Sequence, residues 1–211
     1  MTGQPGQLYK VQKKDIPQAA EVLKAAFQLD PVWNRVFAGE PRAGQKLSFF
    51  YETPVRYCLT YGAVYAVSAR LEGVAAWVPG RYAALTLWRL IRSGAVLPGL
   101  KLGAGLARKL KAATRPLFED CRQIMKGKPF IYLDIIGVAP EYQGQGCGGK
   151  LLRALIESAE QAALPIYLET GTEENVQMYE RFGFHVVKQV KLPVIGLPMW
   201  EMLRNPGPDI L

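Results

Sequence analysis

Apolar residues near the start of the chain recur at helical spacing. Ala19, Ala20, Val22, Leu23, Ala26 and Phe27 share one face of a helix over DIPQAAEVLKAAF. LYKVQ (8–12) before it reads as a short strand, Asp15 as the helix N-cap and Pro17 as a first-turn residue. Asp30-Pro31 ends this helix, because the residue before a proline is driven out of the helical region. Residues 44–61 predict a second helical region, disturbed at Pro54. Over 63–80 the pattern changes to two apolar, β-prone runs around a turn containing Gly73, which predicts a hairpin. Residues 81–127 return to a helical period, are basic, and carry breaks at Pro98 and Pro116.

From residue 129 strands and helices alternate. PFIYLDIIGVAP is a mostly apolar strand, QGQGCGG (143–149) a glycine-rich loop, and KLLRALIESAEQAAL (150–164) an amphipathic helix. PIYLET (165–170) is a second strand, NVQMYERFGF (175–184) a short helix closed by Gly183, and HVVKQVKL and PMWEML two last strands. Strand, loop, helix and strand form a crossover unit, so those two strands are expected to be parallel neighbours. No linker divides the chain, and one α/β domain over residues 1–211 is expected.

Composition narrows the class. Hydrophobic residues are 49% and charged residues 21%, ordinary for a protein that buries a core. The N-terminal sequence lacks a basic end followed by an apolar stretch, so secretion is not expected. Cys58, Cys121 and Cys147 have no metal-type spacing and His185 is the single histidine, so no metal is expected and the cysteines suit reduced thiols in the cytoplasm. Net charge is +8, which favours an anionic partner without naming it. No nucleic-acid motif is present, and nucleic acid is not expected as a partner. A membrane span needs roughly 18 uncharged apolar residues. Arg89, Arg92, Lys101 and Arg108 interrupt the 81–127 segment, whose helices are expected to cover the core or a substrate cleft rather than lie in a membrane interface.

The loop carries the chemistry. A strand that runs through glycines into a helix presents unpaired N–H groups and the positive end of the helix to one point, which suits phosphate oxygens. The alternative, a merely flexible turn, does not account for four glycines between Gly144 and Gly149 set between a strand and a helix. Two cofactor classes fit. Gly144, Gly146 and Gly149 satisfy G-x-G-x-x-G, with Glu169 near the position of a ribose-binding carboxylate, as in a dinucleotide-dependent oxidoreductase. Against it, five residues separate strand from glycines, and only one crossover unit is visible.

The second class fits more of the chain. Val138-Ala-Pro-Glu-Tyr-Gln143-Gly-Gln-Gly146-Cys-Gly148 resembles the coenzyme A pyrophosphate loop of the GNAT acetyltransferase superfamily, with Gln143, Gly146 and Gly148 at its motif positions. LETGTEENVQMYERFGF resembles the family's second motif block, with Asn175, Tyr179, Gly183 and Phe184 in the corresponding places. Within the superfamily the spacing is similar to the puromycin N-acetyltransferase type, and the match spans roughly residues 129–187.

The resemblance implies a mixed, mostly antiparallel sheet of six to seven strands around a central parallel pair, with helices on both faces and a helical insertion at 81–127. It also implies acetyl-CoA as cosubstrate, no metal, and an amine acceptor, with a small molecule favoured. A non-catalytic acyl-CoA-binding domain of the same fold is the remaining alternative, and a homodimer stays open. The amides of Gln143, Gly144, Gln145, Gly146, Cys147, Gly148 and Gly149, with Lys150, would anchor the cofactor's charged end. Backbone groups of Ile136, Gly137 and Val138, on a strand that bulges away from its neighbour, would pair with the pantetheine arm, helped by Asn175. An N–H near 136–138 would stabilise charge on the thioester oxygen.

Protons must also move. The amine, with an ordinary pKa of about 10.4, loses one to attack, and the leaving thiolate, about 8.5, gains from receiving one. Tyr179 is the family-like donor; Glu169, and after it Asp134, are the candidate bases, with a structural salt bridge as the alternative for each. Cys147 lies in the phosphate loop, away from the acetyl carbon, and is rejected as a nucleophile. Trp33 and the 81–127 helices are expected to wall the acceptor site, and the other tryptophans to be core or cleft aromatics.

Overall fold

A computed structural model describes residues 8–207. Seven strands form one sheet in the order β1-β2-β3-β4-β5-β7-β6. They are β1 (Tyr9–Lys10), β2 (Ala63–Ala66), β3 (Gly73–Pro79), β4 (Ile131–Val138), β5 (Ile166–Thr170), β6 (His185–Lys191) and β7 (Pro198–Arg204). Only β4 and β5 run parallel; every other neighbouring pair is antiparallel. The helices are α1 (Ile16–Ala26), α2 (Pro31–Phe37), α3 (Ala43–Tyr61), α4 (Leu87–Ser93), α5 (Val96–Lys101), α6 (Ala104–Met125), α7 (Cys147–Gln161) and α8 (Glu173–Glu180).

Strand alternation sorts the core onto two faces. Val74, Ala76 and Val78 of β3, with Tyr132 and Tyr167, pack under α1, α3 and α6. Ala75 and Trp77, with Ile131, Leu133, Ile166 and Leu168, pack against Leu151, Leu152, Leu155 and Ile156 of α7 and against α8. The central strand β3 is buried nearly throughout, which explains its unbroken apolar run. The edge strand β6 is mostly exposed and polar. A third cluster joins α2 and α6 to the β6–β7 connection through Val36, Leu106, Leu117 and Leu192.

Several local expectations are revised. Asp15 precedes α1 but does not cap it: its carboxylate accepts from the Gln12 N–H and the Tyr9 hydroxyl, closing the turn before the helix. Asp30 is the capping residue instead, accepting from the N–H groups of Val32 and Trp33 at the head of α2. Pro54, expected to disturb a helix, and Pro116, expected to break one, lie inside α3 and α6, while Pro98 sits in the first turn of α5. In α3 and α6 buried residues flank the proline on both sides (Tyr51 and Val55; Ala113 and Leu117). That burial on both sides holds each helix together across the N–H the proline lacks.

The parallel pair is brief. Only Ile131↔Ile166 and Tyr132↔Tyr167 are in register between β4 and β5. Beyond them β4 stays paired with β3 as far as Val138, and β5 with β7 as far as Thr170, so the two halves of the sheet diverge. On the β3 side the register slips at Ala76/Trp77, opposite Ile135 and Leu133, which leaves Asp134 as the extra residue of a bulge. Further along, Gly137 admits α1: a Cβ there would meet the Ala26 Cβ at 2.9 Å and the Leu23 Cδ2 at 3.1 Å. Gly137→Val is expected to push α1 off the sheet at a cost of about 1–3 kcal/mol. Differential scanning calorimetry should show this as a Tm lower by roughly 3–10 °C.

Candidate active site

The divergence opens a cavity of about 2030 Å³ that runs along the inner edge of β4. This exceeds the roughly 300–1,000 Å³ of a single drug-sized pocket. At its far end, β4 leads through a short turn to Gly144 and Gly146, both with φ in the left-handed region that favours glycine, at +73° and +80°. Helix α7 starts at Cys147, three residues earlier than the sequence pattern predicts, with Gly148 and Gly149 inside its first turn. Gln143 N–H donates to Pro140 O and Lys150 N–H to Gly146 O. Between them, none of the N–H groups from Gly144 to Gly149 donates a hydrogen bond among the described residues. These donors and the positive helix end form an anion site made of backbone.

The side chains around it divide. Gln143 Nε2 donates to Val138 O at 3.0 Å, so that carbonyl, expected to be free, is occupied. Gln145 turns back to Glu141 O at 2.8 Å, and neither Gln145 nor Lys150 lines the cavity. Arg153 and Arg181 do line it, and the Arg153 guanidinium lies 3.4 Å from where a Gly149 Cβ would stand. Both were missed in the sequence. Arg153 is one helical turn beyond Gly149, which the helix phase could have signalled.

Opposite β4, the β5 side contributes α8. Thr172 caps it by accepting from the Asn175 N–H at 3.3 Å, and Asn175 and Tyr179, one turn apart, both line the cavity. Tyr179 is 6% exposed and packs edge-on against Phe184 at 5.5 Å, and its hydroxyl makes no hydrogen bond among the described residues. Burial raises its pKa, so the phenol stays protonated and able to donate. Cys147, at the first position of α7, borders the anion site. His185 is solvent-exposed at the start of β6.

The carboxylates Glu169 and Asp134 line the cavity, and Glu201 lies beside Glu169 outside that lining. Glu169 Oε2 accepts from the Tyr132 hydroxyl at 2.8 Å, and its shielded Oε1 has no partner. Burial, reinforced by Glu201 and Asp134, pushes its pKa up to about 8 despite that hydrogen bond. Asp134 Oδ2 faces the Cys58 thiol at 3.6 Å, and burial raises its pKa to about 6. Glu201 is the cross-strand neighbour of Glu169, fully buried, with neither oxygen hydrogen-bonded; burial brings it to about 7. Neither Glu169 nor Asp134 forms an ion pair among the described residues; the nearby pair is Lys188 with Asp120, at 2.6 Å. No group of residues suited to a metal ion occurs among the described residues.

Residues 103–186 match the family model described as acetyltransferase (GNAT) domain. The match covers less than half of the chain and contains the glycine loop and α8. An uncharacterized N-acetyltransferase of Schizosaccharomyces pombe is 28% identical over 206 residues, covering 93% of this chain and 82% of that one. N-alpha-acetyltransferase RimI of Mycobacterium tuberculosis is 33% identical over 82 residues, 37% of this chain and 52% of that one. Among solved structures, a Corynebacterium glutamicum protein described as histone acetyltransferase HPA2 and related acetyltransferase superposes with a TM-score of 0.65 at 21% identity, covering 97% and 98% of the two chains. The fold is the GNAT fold, and the protein is an acyltransferase. A dinucleotide-dependent oxidoreductase finds no support: the acetyltransferase sheet has a single parallel pair, not a doubly wound series.

The carboxyl pKa values have a consequence for stability. Each is raised, so the folded acetyltransferase holds protons that the unfolded chain has already lost. Stability is then full below the unfolded value of 4.5 and falls as pH rises through about 7 for Glu201 and about 8 for Glu169. Thermal melts between about pH 6 and pH 9 should show a falling Tm, and Glu201→Gln should flatten that fall.

Proposed function

We propose that this acetyltransferase moves an acetyl group from acetyl-CoA directly to the primary amine of a small molecule in a ternary complex. The observation that carries the reading is the junction of three features: β4 parts from β5 after two paired residues, it leads into a helix head with six undonated N–H groups, and a buried phenol faces the opening. The backbone amides from Gly144 to Gly149, with Arg153 and Arg181 added, suit a diphosphate. The free inner edge of β4 at Ile136, Gly137 and Val138 suits an extended arm that carries amides, except at the Val138 carbonyl already taken by Gln143. Acetyl-CoA, when bound, supplies an activated thioester carbonyl.

The chain's own residues then have three tasks. Backbone N–H groups on the inner edge of β4 can hold developing negative charge. Tyr179 donates a hydrogen bond to the departing sulfur. Glu169, with Asp134 as second candidate, accepts a proton from the incoming ammonium; pKa values near 8 and 6 are close to working pH. Cys147 sits at the anion site, which suits cofactor binding rather than an acyl-enzyme. The motif spacing that resembles the puromycin N-acetyltransferase type, and the large cavity, favour a small-molecule acceptor over a protein chain.

Calorimetric titration with acetyl-CoA should show micromolar binding, and NAD(H) none. Gly146→Val, which places a branched side chain at positive φ, should weaken acetyl-CoA at least about tenfold. Tyr179→Phe should keep that affinity while lowering kcat by about 10²-fold. Unchanged turnover in Tyr179→Phe would remove the acid role, and absence of turnover with any amine would leave a binding domain. In the intact enzyme kcat/KM should rise with pH up to about 8, and Glu169→Gln should abolish that limb.

A further inference from the structure

The helices of 81–127 do cover the cleft, as expected: Leu90 of α4, Val96, Gly99 and Leu100 of α5, and several residues of α6 line the cavity, yet α4 and α5 leave much of their apolar surface uncovered. Helix α4 buries no residue and α5 buries only Pro98. Four large apolar side chains stand in solvent instead: Leu87 at 68%, Trp88 at 65%, Leu97 at 65% and Leu100 at 71% exposure. Ile91, one turn after Leu87, joins them. Isolated exposed apolar residues need no reason, but a cluster on adjacent helices marks a contact surface.

The charge distribution says what kind. Between Gly73 and Phe118 the sequence holds eight Lys and Arg residues and no Asp or Glu, so this stretch alone carries +8, equal to the whole chain's net charge. Among the described residues only Arg115 of these is ion-paired, with Glu119. Arg92, Lys101, Arg108 and Lys111 are exposed. The missing partner must therefore offer apolar volume and negative charge together.

We propose that the α4–α5 face docks on an anionic lipid bilayer, with Leu87, Trp88, Ile91, Leu97 and Leu100 entering the interface and Arg92, Lys101, Arg108 and Lys111 meeting the headgroups. A bilayer supplies both properties over one flat area, and an indole between apolar and polar layers is a common anchor. Nucleic acid offers phosphates but nothing for the aliphatic side chains. No helix among the described residues is long and apolar enough to cross a membrane, so the contact is peripheral. Leu85 and Leu100 also line the cavity, so the docking face adjoins it.

The test is co-sedimentation of the full chain with vesicles of phosphatidylcholine alone and with phosphatidylglycerol added. Binding should be about tenfold tighter to the anionic vesicles and should weaken as salt is raised. Leu87→Ser/Trp88→Ser, and separately Leu97→Ser, should each lower that binding about tenfold or more with the thermal melt and acetyl-CoA affinity unchanged. Arg92→Gln/Lys111→Gln should remove the preference for phosphatidylglycerol. The proposal is overturned by absence of binding to the anionic vesicles, or by binding that the apolar variants leave untouched. Polyglutamate or duplex DNA held more tightly than the vesicles would also overturn it, since the face would then belong to a different partner.

Discussion

Two rungs of parallel pairing, at Ile131–Ile166 and Tyr132–Tyr167, are the hinge on which the molecule is built. Backbone polar groups in a protein interior must be paired, so a sheet that opens needs each half secured from its other side. β3 secures β4 along its length and β7 secures β5. The bulge at Asp134 re-aims β4 just past the last shared rung, and α1, seated against Gly137, holds its far end. What remains on the inner edges is backbone that a ligand can satisfy. The helix head at Gly146 and the α8 face with Asn175 and Tyr179 are delivered to the two sides of that opening by the strands themselves.

The same opening accounts for the carboxylates. Glu169 and Glu201 are cross-strand neighbours on one face, Asp134 is thrust out by the bulge, and hydrophobic side chains of α3 and α6 shield them. Like charges so placed are costly unless protons are retained. A raised pKa would make Glu169, once ionised, a better proton acceptor for an ammonium that must become an amine, and ionising it weakens the fold at alkaline pH for the same reason. One physical arrangement thus trades stability for proton affinity.

The parts that could be read from the sequence are those that depend on short-range pattern. The strand–glycine–helix run from Phe130 to Leu164 is local, and its parallel crossover, its left-handed glycines and the family likeness all follow from adjacent residues. The cluster was partly visible: Glu169 and Asp134 stand out as charges in apolar strands. Glu201 does not, because its relation to Glu169 exists only through the β5–β7 register, separated by a helix and a strand in sequence. Arg153 required the phase of α7, which shifted when the helix proved to begin at Cys147. Pro54 and Pro116 misled because a local cost was weighed without the packing of Tyr51, Val55, Ala113 and Leu117 on either side. For α4 and α5 periodicity identified the helices correctly but carries no information about what covers them; Trp88 therefore read as a core or cleft aromatic and is mostly exposed.

A basic protein with an amine acceptor looks self-contradictory, since its net positive field repels cations. The contradiction dissolves when charge is assigned to place. The excess lies between Gly73 and Phe118, mostly on α4, α5 and α6, whereas Glu169 and Asp134 line the cavity on the sheet strands. At physiological salt, exposed charges are screened over about 8 Å, while a partly buried carboxylate acts on its own pocket with little screening. In the proposed arrangement the outer charges would govern which surface the protein approaches, while Asp134, ionised above about pH 6, and Glu169, ionised only above about pH 8, would favour an ammonium inside the cavity. An anionic bilayer satisfies the first and concentrates amphipathic cations at its own surface, where the second can select an ammonium with an apolar body. The two charge systems then act in sequence rather than in opposition.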